Sequence, residues 1–266
     1  RSASSMIFTT RITGNPASSQ SRRSSPIILL PMLAAAAVVG LTILALFGVV
    51  FAGAFTEAIG PRNNFTLAHF GSRFGLQYLW TSIKMGLAAG FLAAIGGTVL
   101  AYILERKRIP GRGGIEFLTL LGLSVPGTVL GLGYLLAFHN PPVALTGTFL
   151  ILVLNTGFRE LPAAMEAGMS KLRQLDLAIE EASADLGVGP VGTFLKVVVP
   201  NIGSAFMAGL IYAFMTGMIT VRAIAFLVSP GANLASIYIL QLAEMGYLGE
   251  GCAVSVMLIA IVFACV

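Results

Sequence analysis

Long apolar stretches alternate with short polar ones along the whole chain. Five of them, residues 27–54, 78–104, 115–138, 142–158 and 201–228, approach or exceed the ~20 helical residues that cross a ~30 Å hydrocarbon core. The fourth is short and carries Asn155. A sixth, residues 246–266, is still apolar at the last residue of the chain. Residues 1–26 are polar, Ser-rich and free of acids, as in a transit peptide. The apolar run that follows, however, is about twice the length of a signal-peptide core, which predicts a retained span behind a cytoplasmic segment or linker. The pattern as a whole predicts an all-α integral membrane protein with spans joined by loops and one longer polar interval, residues 159–200.

That interval has internal order. Its second half reads EEASADLGVGPVGTFLKVVVP, residues 180–200. Leu175, Ile179, Ala182 and Leu186 recur at helical spacing on one face, with Glu180, Glu181 and Asp185 elsewhere, so the interval predicts a short amphipathic helix outside the membrane. Gly187 stands where a helix ends on a left-handed residue, and Gly189-Pro190 prevents simple continuation. Proline is favoured in a first helical turn, so a second short helix is expected from Pro190 to Val199, with Pro200 opening the next span. A helix, a sharp corner and another helix result. Read from helix physics alone, this is either an ordinary solvated connector or a surface built for a partner.

Composition agrees with a membrane protein. Of the 266 residues 56% are hydrophobic and only 10% charged, and the mean hydropathy is +0.90, against roughly 25% charged residues in soluble domains. The two cysteines, Cys252 and Cys265, form no paired pattern that indicates a disulfide framework or a metal site. The net charge of +5 would suit a nucleic-acid partner, but position carries more information than the sum. With the N-terminus inside, one set of loops holds Arg1, Arg11, Arg22, Arg23, Arg106, Lys107, Arg108, Arg112, Arg159, Lys171, Arg173 and Lys196. The opposite loops hold only Arg62 and Arg73. Membrane topology therefore accounts for the basic residues, with the N-terminus and residues 159–200 in the cytoplasm and no call for nucleic acid.

The spacing within the polar interval resembles the loop signature of ABC importer permeases. Glu181-Ala182-Ser183, three residues, Gly187, nine residues and Val197-Val198-Val199-Pro200 match Glu-Ala-Ala, three residues, Gly, nine residues, Ile-any-Leu-Pro. Ser183 replaces the second Ala, and Val197 and Val199 replace Ile and Leu. IPGRGGIEFLTLLGLSVPGTVLGLGYLLAF (109–138), PPVALTGTFLILVL (141–154), RELP (159–162) and the QLDLAIEEAS run are similar to ferric iron permeases of this family. FTTRITG (8–14) resembles the junction before the second half of a double-length permease. With Arg1 in place of an initiator and an end inside an apolar run, this gives the expectation of a C-terminal half.

The resemblance implies a six-helix type I permease bundle, residues 27–266, in a bacterial inner membrane. Its coupling helices would dock on a cytoplasmic ABC ATPase dimer through Glu180, Glu181, Ala182, Ser183, Gly187 and Pro200. It further implies a second permease half, fused or separate, and a periplasmic binding protein that delivers the cargo, ferric iron first and aminoethylphosphonate, polyamine, thiamine or sulfate as alternatives. ATP and Mg²⁺ would sit on the partner, and this chain would be neither an enzyme nor a cofactor holder. A phosphate-cradling loop needs a Gly-Lys pair, and none occurs in the chain. An ion-coupled secondary carrier would ordinarily need buried ionisable groups, and apart from Arg222 the spans offer few. No Ser/His or paired-carboxylate pattern across facing spans suggests an intramembrane enzyme.

Within the spans, Ser124-Val125-Pro126-Gly127 interrupts the third, because a proline removes a helix hydrogen bond. Such a break either lines a translocation path or serves as a packing kink. Gly127 with Gly131, and Gly86 with Gly90, have the spacing that lets helices approach closely. Arg222 is anomalous inside a span; its place near the outer end predicts outward snorkelling or subunit packing, with a gate as the other reading. Pro126, Gly127, Asn155 and Arg222 are thus the candidate path residues. His69 and His139 fall in outer loops without a carboxylate or Tyr cluster, a poor ferric site because Fe³⁺ prefers hard oxygen ligands. No metal site is expected.

Overall fold

The computed structural model describes residues 26–58, 62–107, 109–229 and 232–265. The N-terminal segment, with FTTRITG and Arg1, Arg11, Arg22 and Arg23, lies outside the described residues, as does Arg108. The chain divides into two units between Phe47 and Gly48. The first is represented by most of helix α1, Pro26–Ala54, an uncharged run of 29 residues. At 1.5 Å per residue it is about 43 Å long, enough for a bilayer.

The second unit is a helical bundle. Its elements are a hairpin of β1 (Thr56–Ala58) and β2 (Arg62–Phe65), a 3₁₀ turn Ala68–Gly71, α2 (Arg73–Arg106), α3 (Arg112–Ser124), α4 (Gly127–Ala137) and α5 (Phe149–Gln174). There follow α6 (Ala178–Asp185), α7 (Pro190–Thr193), a π-helical turn Phe194–Val198, α8 (Val199–Asn201), α9 (Gly203–Ile219), α10 (Ala235–Glu244) and α11 (Leu248–Ala264). Helices α2, α5 and α9 pack most extensively on one another. Small residues make that possible: a Cβ on Gly97 would come within 2.6 Å of Ala164 Cβ and 2.7 Å of Met165 N, so only glycine lets α2 and α5 lie so close. Gly86 and Gly90 meet Phe214 and Leu210 of α9 in the same way, and Gly131 meets the carbonyl of Ala223, in keeping with the packing role their spacing suggests.

Among the described residues, two helices are individually long and apolar enough to cross a membrane, or four if each bent pair is one crossing. Three expected spans differ in shape. The fourth does not stop at residue 158: α5 continues without interruption to Gln174. Arg159 and Glu160 lower the hydropathy there, but their side chains pair at 2.7 Å and the helix runs through them. The third is not a gently kinked helix; α3 and α4 meet at 107° across Val125-Pro126. The fifth helix ends at Ile219, so Arg222 lies in the turns that follow and not inside a helix.

Candidate functional site

At the end of the bundle where α2 and α5 finish, the chain forms the helix-corner-helix expected from its spacing. The corner is a Schellman turn. Gly187 N donates to the Ala184 carbonyl at 2.9 Å, Val188 N to that of Ser183 at 3.1 Å, and Gly187 has φ +80°. No atom lies within 4 Å of where its Cβ would be, so glycine is required here by the backbone angle and not by space. Ser183 is buried, and its Oγ lies 3.0 Å from Thr193 Oγ1, which ties α6 to α7 across the corner. Ser183 in place of the family's Ala thus has a partner that an Ala would lack.

Glu180, one of the expected docking residues, turns inward: Arg106 Nε lies 2.8 Å from its Oε1 in a close ion pair, and Tyr102 donates to Oε2 at 3.2 Å. Arg106 also donates from Nη2 to the carbonyls of Leu172 and Leu175, at 2.8 and 2.7 Å. These carbonyls lie in the last turn of α5 and at its C-cap, where the helix's own hydrogen bonds run out. One guanidinium therefore clasps the ends of α2 and α5 and helix α6 together. Tyr102 adds a ring contact to Phe194 at 4.8 Å between centroids. The middle valine of the signature, Val198, is fully buried with Met165, Met169, Leu172 and Ile202, whereas Val197 and Val199 are half-buried. The sequence pattern pointed to those flanking valines and missed the one that anchors.

With Glu180 and Ser183 turned in, α6 leaves both apolar and acidic residues on its outer side. Glu181, Ala182 and Asp185 are exposed, as are Ile179 and Leu186, the latter at 84%. Val191 of α7, at 72%, and Leu195 in the π-helical turn are exposed as well, as is Pro200. Exposed apolar residues rimmed by carboxylates suit an interaction surface.

The four candidate path residues come together elsewhere, around the α3–α4 corner. A cavity of about 420 Å³ is lined by Ser124, Pro126, Gly127, Arg159, Glu160, Tyr212, Thr216 and Arg222. It shares Gly122, Val125 and Arg159 with a larger, mainly apolar cavity of about 530 Å³ that includes Asn155 and Tyr134. Arg159 and Glu160, placed in a cytoplasmic loop by hydropathy, belong to this site, and Arg222 faces it. Glu160 and Asn155 are each 1% exposed; Glu160 Oε1 receives Arg159 Nε at 2.9 Å and Nη2 at 2.7 Å, while both amide atoms of Asn155 lack a partner.

At the opposite end of the bundle from α6, His69 Nε2 lies 3.1 Å from the Thr56 carbonyl and packs on Gly249. Nearby, Glu250 accepts from Ser72 Oγ and, at 2.9 Å, from the Tyr238 hydroxyl. His139 is exposed. Among the described residues no three His, Cys, Asp or Glu side chains gather in a way that could hold a metal.

No family model matches the chain. It is 37% identical over 228 residues to the ferric transport system permease protein FbpB of Actinobacillus pleuropneumoniae, a match covering 83% of this chain and 33% of that protein. It is 30% identical over 171 residues to the putrescine transport system permease protein PotI of Escherichia coli K12, 62% of this chain and 60% of the relative. The match to the putative 2-aminoethylphosphonate transport system permease PhnV of Salmonella typhimurium is 26% over 203 residues, 75% and 76% of the two chains. The chain thus spans about a third of the ferric permease it matches. Among solved structures, a bacterial ABC transporter that imports the acidic polysaccharide alginate superposes with a TM-score of 0.73, 14% identity and coverage of 90% of this chain and 94% of the other. The MetNI methionine ABC transporter gives a TM-score of 0.56 at 17% identity, covering 71% and 90%. In sequence the chain is similar to permeases of ABC importers, and in fold it is an all-α membrane protein that superposes on the membrane subunits of such transporters.

Proposed function

We propose that this chain works as a membrane-spanning permease subunit of an ATP-driven importer, and that the α6–α7 corner is where a cytoplasmic ATPase dimer engages it. The observation that carries the reading is how α6 is held: Glu180 and Ser183 are engaged by Arg106, Tyr102 and Thr193, while Ile179, Ala182 and Leu186 are left exposed beside Glu181 and Asp185. A helix held this firmly to the ends of α2 and α5 transmits a push from a partner into the bundle better than a flexible loop does. For coupling, the ATPase must bind two states of the bundle with different free energies, since equal affinity shifts nothing. ATP and Mg²⁺ then sit on that partner.

In this reading the α6–α7 end faces the cytoplasm, as does the N-terminus, because Lys and Arg concentrate on that side. The chain makes six crossings of a bacterial inner membrane, the first through α1 and the third through the α3–α4 corner. The relatives extend the assignment to a second permease half and to a periplasmic binding protein; one alginate transporter was solved with its periplasmic protein bound to alginate pentasaccharide. Ferric iron is the cargo class that the 37% relative supports, with putrescine and aminoethylphosphonate transport named for the more distant ones. Copurification of the tagged full chain from its own cells tests the reading. A nucleotide-binding ATPase is expected to come with it and to be lost, together with ATP-dependent uptake, on Gly187→Leu. Uptake and association unchanged by that substitution would overturn the role of the corner.

A further inference from the structure

The cavity at the α3–α4 corner has a chemistry that the importer reading leaves open. Two guanidiniums, Arg159 and Arg222, line it, and its only carboxylate, Glu160, is already engaged by Arg159 through Nε at 2.9 Å and Nη2 at 2.7 Å. The remaining polar lining, Ser124, Tyr212 and Thr216, is neutral. The charge left over is that of one guanidinium. The start of α4 adds to it: a Cβ on Gly127 would stand 3.3 Å from Arg159 Nη1, so the positive end of an 11-residue helix abuts a cation. Like signs brought together in a site of this kind are stabilised when an anion joins them.

A second, independent feature points to a ligand. Asn155 lies one helical turn before Arg159 on α5, is 1% exposed, lines the adjoining cavity, and has neither Oδ1 nor Nδ2 partnered. A buried amide left unsatisfied is destabilising, and a solute carrying both an acceptor and a donor relieves that cost.

Resting on the importer reading, the geometry points to an oxyanion-binding site for the cargo, in which Arg222 and the Arg159–Glu160 pair receive a carboxylate or phosphonate group and Asn155 contacts the rest of the solute. Guanidinium forks match such groups two oxygens at a time. A bare trivalent cation is a poor fit, because it wants anionic oxygen ligands and finds two like charges. Ferric iron would pass this point only inside an anionic chelate, with the ligand's carboxylates presented to the arginines.

Equilibrium dialysis of the full transporter in discs of zwitterionic lipid tests this with three probes: citrate, ferric citrate and 2-aminoethylphosphonate. At least one is expected to bind, with affinity reduced about tenfold or more by Arg222→Gln, further by Arg222→Glu, and less by Arg222→Lys. Arg222 is exposed and outside the helices, so these variants should assemble. Asn155→Leu is expected to weaken binding through a different contact. Ferric citrate binding without citrate binding identifies the chelate as the species recognised; binding of both identifies the oxyanion itself. If the wild-type transporter retains its ATPase yet binds none of the three, or binds them equally well in all Arg222 variants, the inference is wrong while the importer reading stands. If no ATPase accompanies the wild type, the importer reading itself fails.

Discussion

Arg106, in the last turn of α2, lies 2.8 Å from Glu180 of α6 and donates to the Leu172 and Leu175 carbonyls that end α5. The pair is nearly buried, with side-chain exposures of 8% and 14%. Removing one partner of a buried pair costs about 3–5 kcal/mol because the other charge is left stranded. Glu180→Ala is therefore expected to lower the unfolding temperature of the purified permease and its ATPase association. Arg106→Ala should cost more, since it also removes the guanidinium donor to the Leu172 and Leu175 carbonyls, of which only Leu172 keeps a backbone partner, Leu175 N. The double variant is expected to be less destabilised than the sum of the singles, as measured by thermal unfolding in detergent.

Gly187 makes a separate prediction. A non-glycine residue at φ +80° costs about 1–2 kcal/mol. Since no atom crowds the position, the loss should depend on backbone preference and not on side-chain size. Gly187→Asn is expected to retain more ATPase association than Gly187→Ala, because Asn tolerates the left-handed region. Equal losses from both would point to a steric requirement.

Ser183 and Thr193 form a pair whose energetics are testable by a double-mutant cycle. Ser183→Ala should cost about 1 kcal/mol, because it leaves Thr193 Oγ1 only the long 3.5 Å contact to the Val188 carbonyl. Thr193→Val in the same chain removes the stranded hydroxyl, and the double variant is expected to recover part of the loss. Thermal unfolding of the four proteins gives the coupling energy directly.

Close helix contact predicts where size matters. Gly97→Ala drives a methyl into the backbone of α5, 2.7 Å from Met165 N, and overpacking of this kind costs about 1–3 kcal/mol. Gly113→Ala in α3, with nothing within 4 Å, should be neutral or slightly stabilising, as alanine is the better helix former. A loss of detergent stability in the first variant only is the expected outcome.

Much of the α6–α7 corner was legible because its determinants are local. A left-handed terminus, a proline in a first turn and the spacing of apolar residues are all written within residues 175–200. Which of two neighbouring carboxylates turns inward was not legible. Glu180 and Glu181 differ by only one helical step, and the choice is made by Tyr102 and Arg106, more than seventy positions earlier. The corner cavity was hidden for a related reason. Hydropathy treats Arg159 and Glu160 as two charges that end a span, whereas the fold lets them neutralise each other inside a continuous helix. Pro126 announced a break but not its 107° angle, which goes with contacts across the fold such as Gly131 against Ala223.

The central claim is that the exposed side of α6 and α7 meets an ATPase, and cysteine cross-linking tests it most directly. With Cys252 and Cys265 replaced, Leu186→Cys and Val191→Cys in the intact transporter are expected to cross-link to the ATPase subunit and to change efficiency with ATP. Leu136→Cys, on α4 and exposed at 71%, is expected to give no such product. Equal cross-linking from Leu136 and Leu186, or none from Leu186 and Val191 in an actively transporting preparation, would contradict the account.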